Sequence, residues 1–212
     1  MKKTIAFLLL LQTASLISCT TDAEDEWDAA KVCPESKRGT FVDDRDGQVY
    51  KYTTIGDQVW MAQNLNYDVE DDACYYVEDD CHEMGRVYAK KAAICPTGWH
   101  VPSRDEWRIV LDKMGNDRNL AAQRLKSKSG WQPLNPGDVS NGTDDCGFNA
   151  AFAINGRNTL GLDTDFLTST MGLEETGTTN GICRIEFQSY DPMVLEACLD
   201  ASANGYVRCV KD

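Results

Sequence analysis

The sequence predicts an α+β domain in which short antiparallel strands, two to three helices and long disulfide-linked loops share one core. Three observations predict it. Short β-rich runs are separated by dipeptides that form tight turns. A helix-capping sequence at Ser103 opens an amphipathic stretch. Eight cysteines besides Cys19 follow an export signal, a combination that favours disulfides over free thiols.

The first predicted element is a small antiparallel meander. Three β-rich runs, Thr40–Val42, Gln48–Thr54 and Gln58–Met61, follow one another closely. Asp46-Gly47 and Gly56-Asp57 separate them, and dipeptides of this kind reverse the chain within a few residues. The strands are therefore expected to be sequential neighbours in one sheet.

Helices are predicted in the middle of the chain. Residues Gly85–Ala93 are interpreted as a helix that ends before Cys95-Pro96. Ser103 and Glu106 form a capping box, and the apolar residues that follow recur at the spacing of one helix face. A further helix is expected from Asn119 to about Ser127.

The last third of the chain is predicted to contain short strands between polar loops. The β-rich runs there are 150–154, 166–170, 182–187 and 206–210. Together with the preceding elements they give one mixed domain of about 170 residues, which is long enough to bury a substantial core.

The amino terminus has the features of a lipoprotein export signal. Lys2 and Lys3 precede an apolar run that is too short to span a membrane. The run ends in Leu16-Ile17-Ser18-Cys19, which resembles the lipobox of bacterial lipoproteins. That resemblance implies cleavage before Cys19 and lipid attachment to this cysteine.

This interpretation divides the chain into a signal peptide at 1–18, a lipidated acidic tether at 19–38 and a globular domain at 39–212. An acidic run after a lipidated cysteine also resembles the surface-export signal of some Gram-negative lipoproteins. The expected location is the cell envelope, at the outer membrane or cell surface, with the membrane as a partner through the lipid anchor. A solvated linker without signalling function remains an equal alternative for residues 19–38.

The charge of the chain argues against nucleic-acid binding. Removing residues 1–18 removes two lysines and no acidic residue, which leaves 19 basic and 34 acidic residues and a formal charge of −15. Phosphate binding needs a basic patch, and the sequence shows none. Nucleic acid is therefore not expected as a partner.

Several sequence blocks point to one known domain family. They are Gly39-Thr40-Phe41-Val42-Asp43, Asp46-Gly47-Gln48-Val49-Tyr50, Ile55-Gly56-Asp57-Gln58-Val59-Trp60-Met61-Ala62-Gln63-Asn64-Leu65-Asn66-Tyr67, Gly85-Arg86-Val87-Tyr88, Cys95-Pro96-Thr97-Gly98-Trp99-His100-Val101-Pro102-Ser103, Trp131, Gly147-Phe148-Asn149-Ala150, Gly156-Arg157, Ser169-Thr170 and Val207-Arg208-Cys209-Val210-Lys211-Asp212. These blocks resemble the Fibrobacter succinogenes major paralogous domain from about Gly39 to Asp212. The resemblance implies an exported bacterial domain, often carried on lipoproteins. After Gly156 this chain departs from the family pattern.

A second resemblance bears on the fold. The Gly98–Pro102 block, placed between a helix and an acid-capped helix, is similar to the opening of C-type lectin-like domains. It is also similar to a block of formylglycine-generating enzymes, which share that fold. A C-type lectin-like architecture is therefore expected.

The cysteine spacing alone allows 105 pairings of eight cysteines. In C-type lectins a cysteine of the first helix bonds one in the last strand, and this resemblance implies a Cys95–Cys209 bridge. Cys74 and Cys81 are a natural local pair within the acidic loop. Cys183–Cys198 is the third expected pair, which leaves Cys33 with Cys146.

Catalysis is not expected from the side chains present. His82 and His100 are the only histidines, and His100 is interpreted as a structural hydrogen-bonding residue. No Ser/His/Asp order or activated-cysteine pattern is apparent. The copper-binding cysteines of formylglycine-generating enzymes have no convincing counterpart.

Calcium is the cofactor that the carboxylates would suit, while a solvated acidic loop is the favoured explanation of them. The first candidate site is the acidic loop, with Asp71, Asp72, Asp79 and Asp80 as ligands. The second combines Asp144 and Asp145 with Asp163 and Asp165.

A glycan site would use exposed aromatic faces beside polar groups. Tyr75, Tyr76 and Trp131 are the candidates, with a structural role as the alternative. Most of the other aromatic residues are expected in the core, including Trp60, Trp99 and Trp107.

The function expected from these features is a lipid-anchored, non-catalytic module outside the cytoplasm that binds a glycan or another envelope protein. Two alternatives remain at this point. One is an enzyme related to the formylglycine-generating fold, and the other is a structural envelope lipoprotein without a ligand.

Overall fold

A computed structural model describes most of the chain after residue 26. The described residues are 27–69, 72–73, 84–89, 95–115, 117–152, 161–173, 180–191, 193–199 and 204–212. Helices and antiparallel strands both occur there, so the predicted α+β fold is confirmed. None of the helices within these ranges has the length and apolar character needed to cross a membrane.

The largest sheet contains five strands in the order β1-β2-β3-β11-β6. Their bounds are β1 Gly39–Val42, β2 Val49–Ile55, β3 Gln58–Met61, β6 Trp99–His100 and β11 Val210–Lys211. The predicted meander β1–β3 is therefore confirmed, and Gly56 at φ 59° makes its second reversal. The strand nearest the carboxyl terminus lies inside the sheet, where Val210 pairs with both Trp60 and His100.

Two three-stranded sheets complete the described β-structure, in the orders β10-β5-β4 and β7-β8-β9. Their bounds are β4 Asp72–Ala73, β5 Val87–Ala89, β7 Asp163–Leu173, β8 Asn180–Gln188, β9 Leu195–Leu199 and β10 Asn204–Gly205. The pairing of β7 with β8 shifts between Leu167 and Met171, which marks an irregularity in the longest hairpin. The runs predicted at 166–170 and 182–187 lie inside β7 and β8.

The helices are α1 Ala29–Val32, α2 Arg104–Lys113 and α3 Arg118–Leu125, and a 3-10 turn spans Glu35–Lys37. The predicted capping box is present: the Ser103 hydroxyl accepts from the Glu106 amide, and the Glu106 carboxylate accepts from the Ser103 amide. Helix α2 buries Trp107, Val110 and Leu111, the face that the apolar spacing predicted.

Three secondary-structure predictions were wrong. The helix expected at Gly85–Ala93 is replaced by strand β5 at Val87–Ala89, because its backbone pairs with Gly205 and Asp72 on neighbouring strands. The run 150–154 forms only an isolated bridge at Ala150 within its described part. The run 206–210 is largely irregular, since the backbone of Tyr206 and Val207 bonds to other segments.

Aromatic side chains form the centre of the core. Trp60 and Trp107 are fully buried, and their ring centroids lie 4.8 Å apart. Phe148, Phe166 and Phe187 surround Trp107 at centroid distances of 5.3–6.4 Å. These contacts join the meander, helix α2 and the long hairpin in one core. The prediction of core tryptophans is confirmed for Trp60 and Trp107, whereas Trp99 is only partly buried.

Three disulfide bridges are present among the described residues, Cys33–Cys146, Cys95–Cys209 and Cys183–Cys198. They are the pairings expected above. The expected Cys74–Cys81 bridge lies outside the described residues.

The predicted end of the tether at residue 38 needs correction. Cys33 is 1% exposed and bonded to Cys146, and Trp27 packs against the core with its indole donating to the Lys113 carbonyl. The segment from Trp27 onward therefore belongs to the globular domain. Four of the five acidic residues that suggested a tether precede this segment, at residues 22–26.

Candidate functional site

A polar cleft of about 540 Å³ lies where the end of strand β3 faces the loop 144–149, and we call it the main cleft. The edge of strands β1 and β2 lines the cleft together with two walls, which are the residues after β3 and the loop 144–149. The lining residues used below are Arg38, Gln48, Tyr50, Tyr52, Gln63, Asn64, Asn66, Asp144, Gly147, Asn149 and Arg208. Most of them carry amide, phenol or guanidinium groups.

The first wall is the stretch that follows β3. Gln63 accepts a hydrogen bond from the Lys51 amide through Oε1, at 2.8 Å, which extends the pairing with β2 by a side chain. Asn64 donates to the Met84 carbonyl at 2.8 Å, and the Asn66 amide donates to the Tyr50 hydroxyl at 2.9 Å. This stretch is therefore fixed in place although it is not a strand.

The second wall is the loop 144–149, which has an unusual backbone. Asp144 and Asn149 adopt positive φ angles of 46° and 54° and are the non-glycine residues that do so in the described part of the chain. The Asp144 carboxylate accepts from the Asn149 amide at 2.6 Å, and Thr53 donates to the Cys146 carbonyl at 2.6 Å. Non-glycine residues in this region of φ/ψ space persist where surrounding contacts hold them, often at functional sites.

Arg208 joins the two walls from below. Its side chain is 1% exposed, and its guanidinium donates to Asn64 Oδ1 at 2.8 Å, to the Asn149 carbonyl at 2.8 Å and to the Phe148 carbonyl. The guanidinium also lies over the Phe148 ring, 4.6 Å from its centroid. One side chain thus sets the distance between the stretch after β3 and the loop.

Burial shifts the pKa values of three groups in the main cleft, Arg208, Tyr50 and Asp144, in the direction that favours the neutral form. It lowers the pKa of Arg208 to about 9 and raises the pKa of Tyr50 to about 12. Burial also raises the pKa of Asp144, and the Asn149 amide and the Arg208 charge oppose this shift. Asp144 is thus the partly buried acceptor of the cleft.

Three polar atoms of the lining residues are buried and have no hydrogen-bond partner in the described part of the chain. They are Arg38 Nε, Gln48 Oε1 and Asn66 Oδ1. A buried polar atom without a partner costs free energy, so these three atoms indicate hydrogen bonds that water or a ligand would complete.

This arrangement is suited to binding a polar, hydroxyl-rich molecule. Amides supply both donors and acceptors, Asp144 supplies an acceptor, and Tyr52 supplies a half-buried aromatic ring. Ligand sites commonly combine a concave surface with a few fixed polar groups of this kind.

Trp131 was predicted to be an exposed ligand-binding ring, but the structure buries it. It is 2% exposed, its indole donates to the Ala150 carbonyl at 3.2 Å, and Lys126 Nζ lies 4.3 Å from its ring centroid. The prediction failed because the ring is covered by its neighbours in the core. The structural alternative holds for this residue.

Most other predicted site residues lie outside the described part of the chain. They are Cys19, Asp71, Cys74, Tyr75, Tyr76, Asp79, Asp80, Cys81 and His82. Asp72 lies in strand β4, where its backbone pairs with Tyr88. The lipid anchor, the acidic-loop calcium site and the tyrosine pair therefore stay predictions.

The second predicted calcium site is not formed within the described residues, where no three Asp, Glu, His or Cys side chains are grouped to hold a metal ion. Asp165 bonds to Arg184 at 2.5 Å, whereas Asp145 lies 3.9 Å from Arg124. Asp144 faces the main cleft. Asp144, Asp145 and Asp165 are thus directed to separate surroundings.

His100 has a hydrogen-bonding environment, in line with its predicted structural role. Its Nδ1 lies 2.6 Å from Asp212 and its Nε2 lies 2.8 Å from Glu106. Burial alone would lower the pKa of His100, but the two carboxylates outweigh it and raise that pKa. The protonated ring can donate to both carboxylates and so link strand β6, helix α2 and the last residue of the chain.

Sequence reasoning missed the main cleft. Asp144 was predicted only as a calcium ligand, and Arg38 and Tyr52 were not singled out as site residues. The other lining residues used above belong to blocks of the family pattern, such as those containing Gln63 and Arg208. The available signal was that these blocks hold polar residues with no evident place in a core or turn. These residues come together only through tertiary contacts, and the periodicity of the sequence does not predict such contacts.

Comparison with known proteins identifies the family. The sequence model of the Fibrobacter succinogenes major domain matches residues 53–211, which is more than half of the chain. No curated protein and no solved structure matches this chain. The match includes every β-strand after β2 and the loop and arginine that form the main cleft. The chain belongs to the Fibrobacter succinogenes major domain family.

Proposed function

We propose that this protein is a lipid-anchored, non-catalytic binding module outside the cytoplasm, and that its main cleft binds a glycan, either free or carried by an envelope protein. The observation that carries the proposal is the amide-rich lining of the cleft. Sugars present alternating donors and acceptors, which amides match in either orientation.

The rigidity of the cleft supports a binding role. Its two walls are held by Arg208, by the Thr53–Cys146 hydrogen bond and by the nearby Cys33–Cys146 disulfide. A site held in its bound shape loses less conformational entropy when the ligand binds.

The location proposed for the protein follows from Cys19. The seven residues between Cys19 and Trp27 can span at most about 28 Å when fully extended. A lipid on Cys19 would therefore hold the globular domain close to the membrane surface. Mass spectrometry of the protein from its native host tests this: cleavage before Cys19 with an acylated cysteine supports the anchor, and an unprocessed amino terminus contradicts it.

The binding proposal is tested with a glycan array and a cell-wall pulldown, using the full processed chain in a non-ionic detergent. The key variant combines Gln48→Ala and Asn66→Ala, which removes two unpartnered cleft oxygens. Gln132→Ala, at an exposed position outside the lining of the cleft, is the matched control.

We expect the wild-type chain and the control to be retained on the same glycans, and the double variant to bind at least about tenfold more weakly. Equal binding by the double variant would show that the glycan binds outside the main cleft. Absence of retention, with and without calcium, would favour the ligand-free structural alternative. Turnover of the glycan would contradict a non-catalytic role.

A further inference from the structure

A second cleft, of about 470 Å³, lies between helix α3, the segment 138–141 and the end of strand β8. Its lining residues used below are Leu120, Lys126, Asp138, Val139, Ser189 and Tyr190, and none of them lines the main cleft. The two clefts can therefore be tested separately.

Lys126 is the unusual residue of the second cleft. Its side chain is 4% exposed, although lysine is rarely buried without a partner of opposite charge. Its Nζ donates to the Gln188 carbonyl at 2.9 Å and lies 4.3 Å from the Trp131 ring centroid. An ammonium has three donors, and these contacts use only one in a conventional hydrogen bond.

The described residues provide no counter-charge for Lys126. No carboxylate among them forms an ion pair with its Nζ, unlike the arginines of the same domain, several of which are paired. Burial lowers the pKa of Lys126 to about 8 with no opposing charge to raise it. An unpaired buried charge is costly, and an anion beside it reduces that cost.

A second polar group of the cleft is also incomplete. Ser189 is 4% exposed, and its Oγ has no hydrogen-bond partner among the residues that the structure describes. A buried ammonium and an unpartnered hydroxyl on the same cleft are complementary to the two oxygens of a carboxylate.

The rest of the lining restricts the ligand. Leu120, Val139 and Tyr190 expose 38%, 86% and 47% of their surfaces, which provides an apolar wall. Asp138 is exposed, and its carboxylate already accepts from the Asn135 amide and side chain. Negative charge at this rim disfavours polyanions, so the fitting ligand carries a single carboxylate on a small body.

We infer that the second cleft is a binding site for a small organic monocarboxylate, whose carboxylate is held by Lys126 and Ser189 while its body packs against Tyr190 and Val139. Two sources present this chemistry: an acidic monosaccharide and the carboxyl terminus of a short peptide.

Calorimetric titration of the full processed chain in detergent tests the inference at constant ionic strength. The probes are glucuronate and N-acetyl-alanyl-alanine, each compared with its uncharged counterpart, glucose and the peptide amide. We expect one carboxylate to bind and its uncharged counterpart to bind at least about tenfold more weakly. The probe that binds identifies the source.

Lys126→Met is the key variant, and Lys128→Met is the matched control because Lys128 is exposed two residues away. The first should reduce carboxylate affinity at least about tenfold, and the second should leave it unchanged. If Lys126→Met does not fold by near-ultraviolet circular dichroism, Ser189→Ala replaces it, with a loss of several-fold expected.

Three results would overturn the inference: no binding of either carboxylate to the wild-type chain, equal binding of the uncharged counterparts, or unchanged affinity in the folded Lys126 and Ser189 variants. The Gln48→Ala, Asn66→Ala variant of the main cleft should bind the carboxylate normally. Failure at one cleft therefore leaves the proposal for the other intact.

Discussion

At the scale of single residues, the main cleft depends on one buried guanidinium. Arg208 bonds acceptors on two separate segments, and its plane lies against the rings of Phe148 and Phe166, with centroids 4.6 Å and 5.3 Å from its central carbon. A planar group with donors in several directions can do this, whereas a lysine ammonium concentrates its donors at one atom.

Replacing Arg208 with lysine should lower the free energy of unfolding by about 3 kcal/mol, because buried acceptors on the two walls lose their donors. The measurement is urea denaturation at constant pH. Arg118→Lys is the control: Arg118 is about one-third exposed and pairs with Glu196, so its change should stay below about 1 kcal/mol. Similar losses of unfolding free energy in the two variants would show that the buried Arg208 depends on its guanidinium no more than the partly exposed Arg118 does.

His100 predicts a pH dependence of stability. Its pKa is raised in the folded state, so its contribution is fully present below the unfolded pKa of about 6.5 and is lost as pH rises through the folded pKa. His100→Gln should remove that decline, so the stability difference between wild type and variant should shrink as the pH rises from about 6 through the raised folded-state pKa of His100. Urea denaturation across this range measures it. A constant difference would mean that the ring is not protonated between its carboxylates.

At the scale of elements, helix α2 shows how a short sequence signal fixes a structure. The Glu106 carboxylate accepts hydrogen bonds from the Ser103 amide and hydroxyl, and His100 Nε2 forms a hydrogen bond with the same carboxylate. Burial would raise the pKa of Glu106, but these hydrogen bonds outweigh it and lower that pKa. The cap therefore connects helix α2 to the five-stranded sheet, in addition to capping the amino-terminal end of the helix.

Removing the cap by Ser103→Ala should lower the free energy of unfolding by about 1 kcal/mol, since the first turn of α2 loses its side-chain acceptor. Thermal and urea unfolding both report this. Ser129→Ala, at an exposed position outside the helices, serves as the control and should change stability by less than about 0.5 kcal/mol. Equal effects of the two substitutions would contradict the role of the cap.

The elements also show what a sequence can predict. The meander and α2 follow from local signals, the turn dipeptides and the capping box, and both were predicted closely. The error at Gly85–Ala93 arose because β5 is stabilised by distant strands, and the main cleft was missed for the same reason. Trp131 was misplaced because sequence reports the type of a side chain but not the neighbours that cover it.

At the scale of the whole molecule, two disulfides connect parts of the chain that are far apart in sequence. Cys33–Cys146 and Cys95–Cys209 have sequence separations of 113 and 114, whereas Cys183–Cys198 joins neighbouring strands with a separation of 15. The first long bridge fixes the segment after Trp27 to the loop that forms the main cleft. Together they attach both ends of the described chain to the core.

The bridges should differ in their contribution to stability, because a cross-link restricts the unfolded chain more when its loop is longer. On the chain-entropy account, a loop of this long class contributes about 4–5 kcal/mol and a 15-residue loop about 3 kcal/mol. The paired variants Cys33→Ala, Cys146→Ala and Cys183→Ala, Cys198→Ala make the same chemical change, so each serves as the control for the other; Cys198 is partly exposed, whereas the other three cysteines are buried. Urea denaturation should give the larger loss of unfolding free energy for the first pair. The reverse order would show that native-state packing around the β8–β9 bridge, rather than restriction of the unfolded chain, determines what these disulfides contribute.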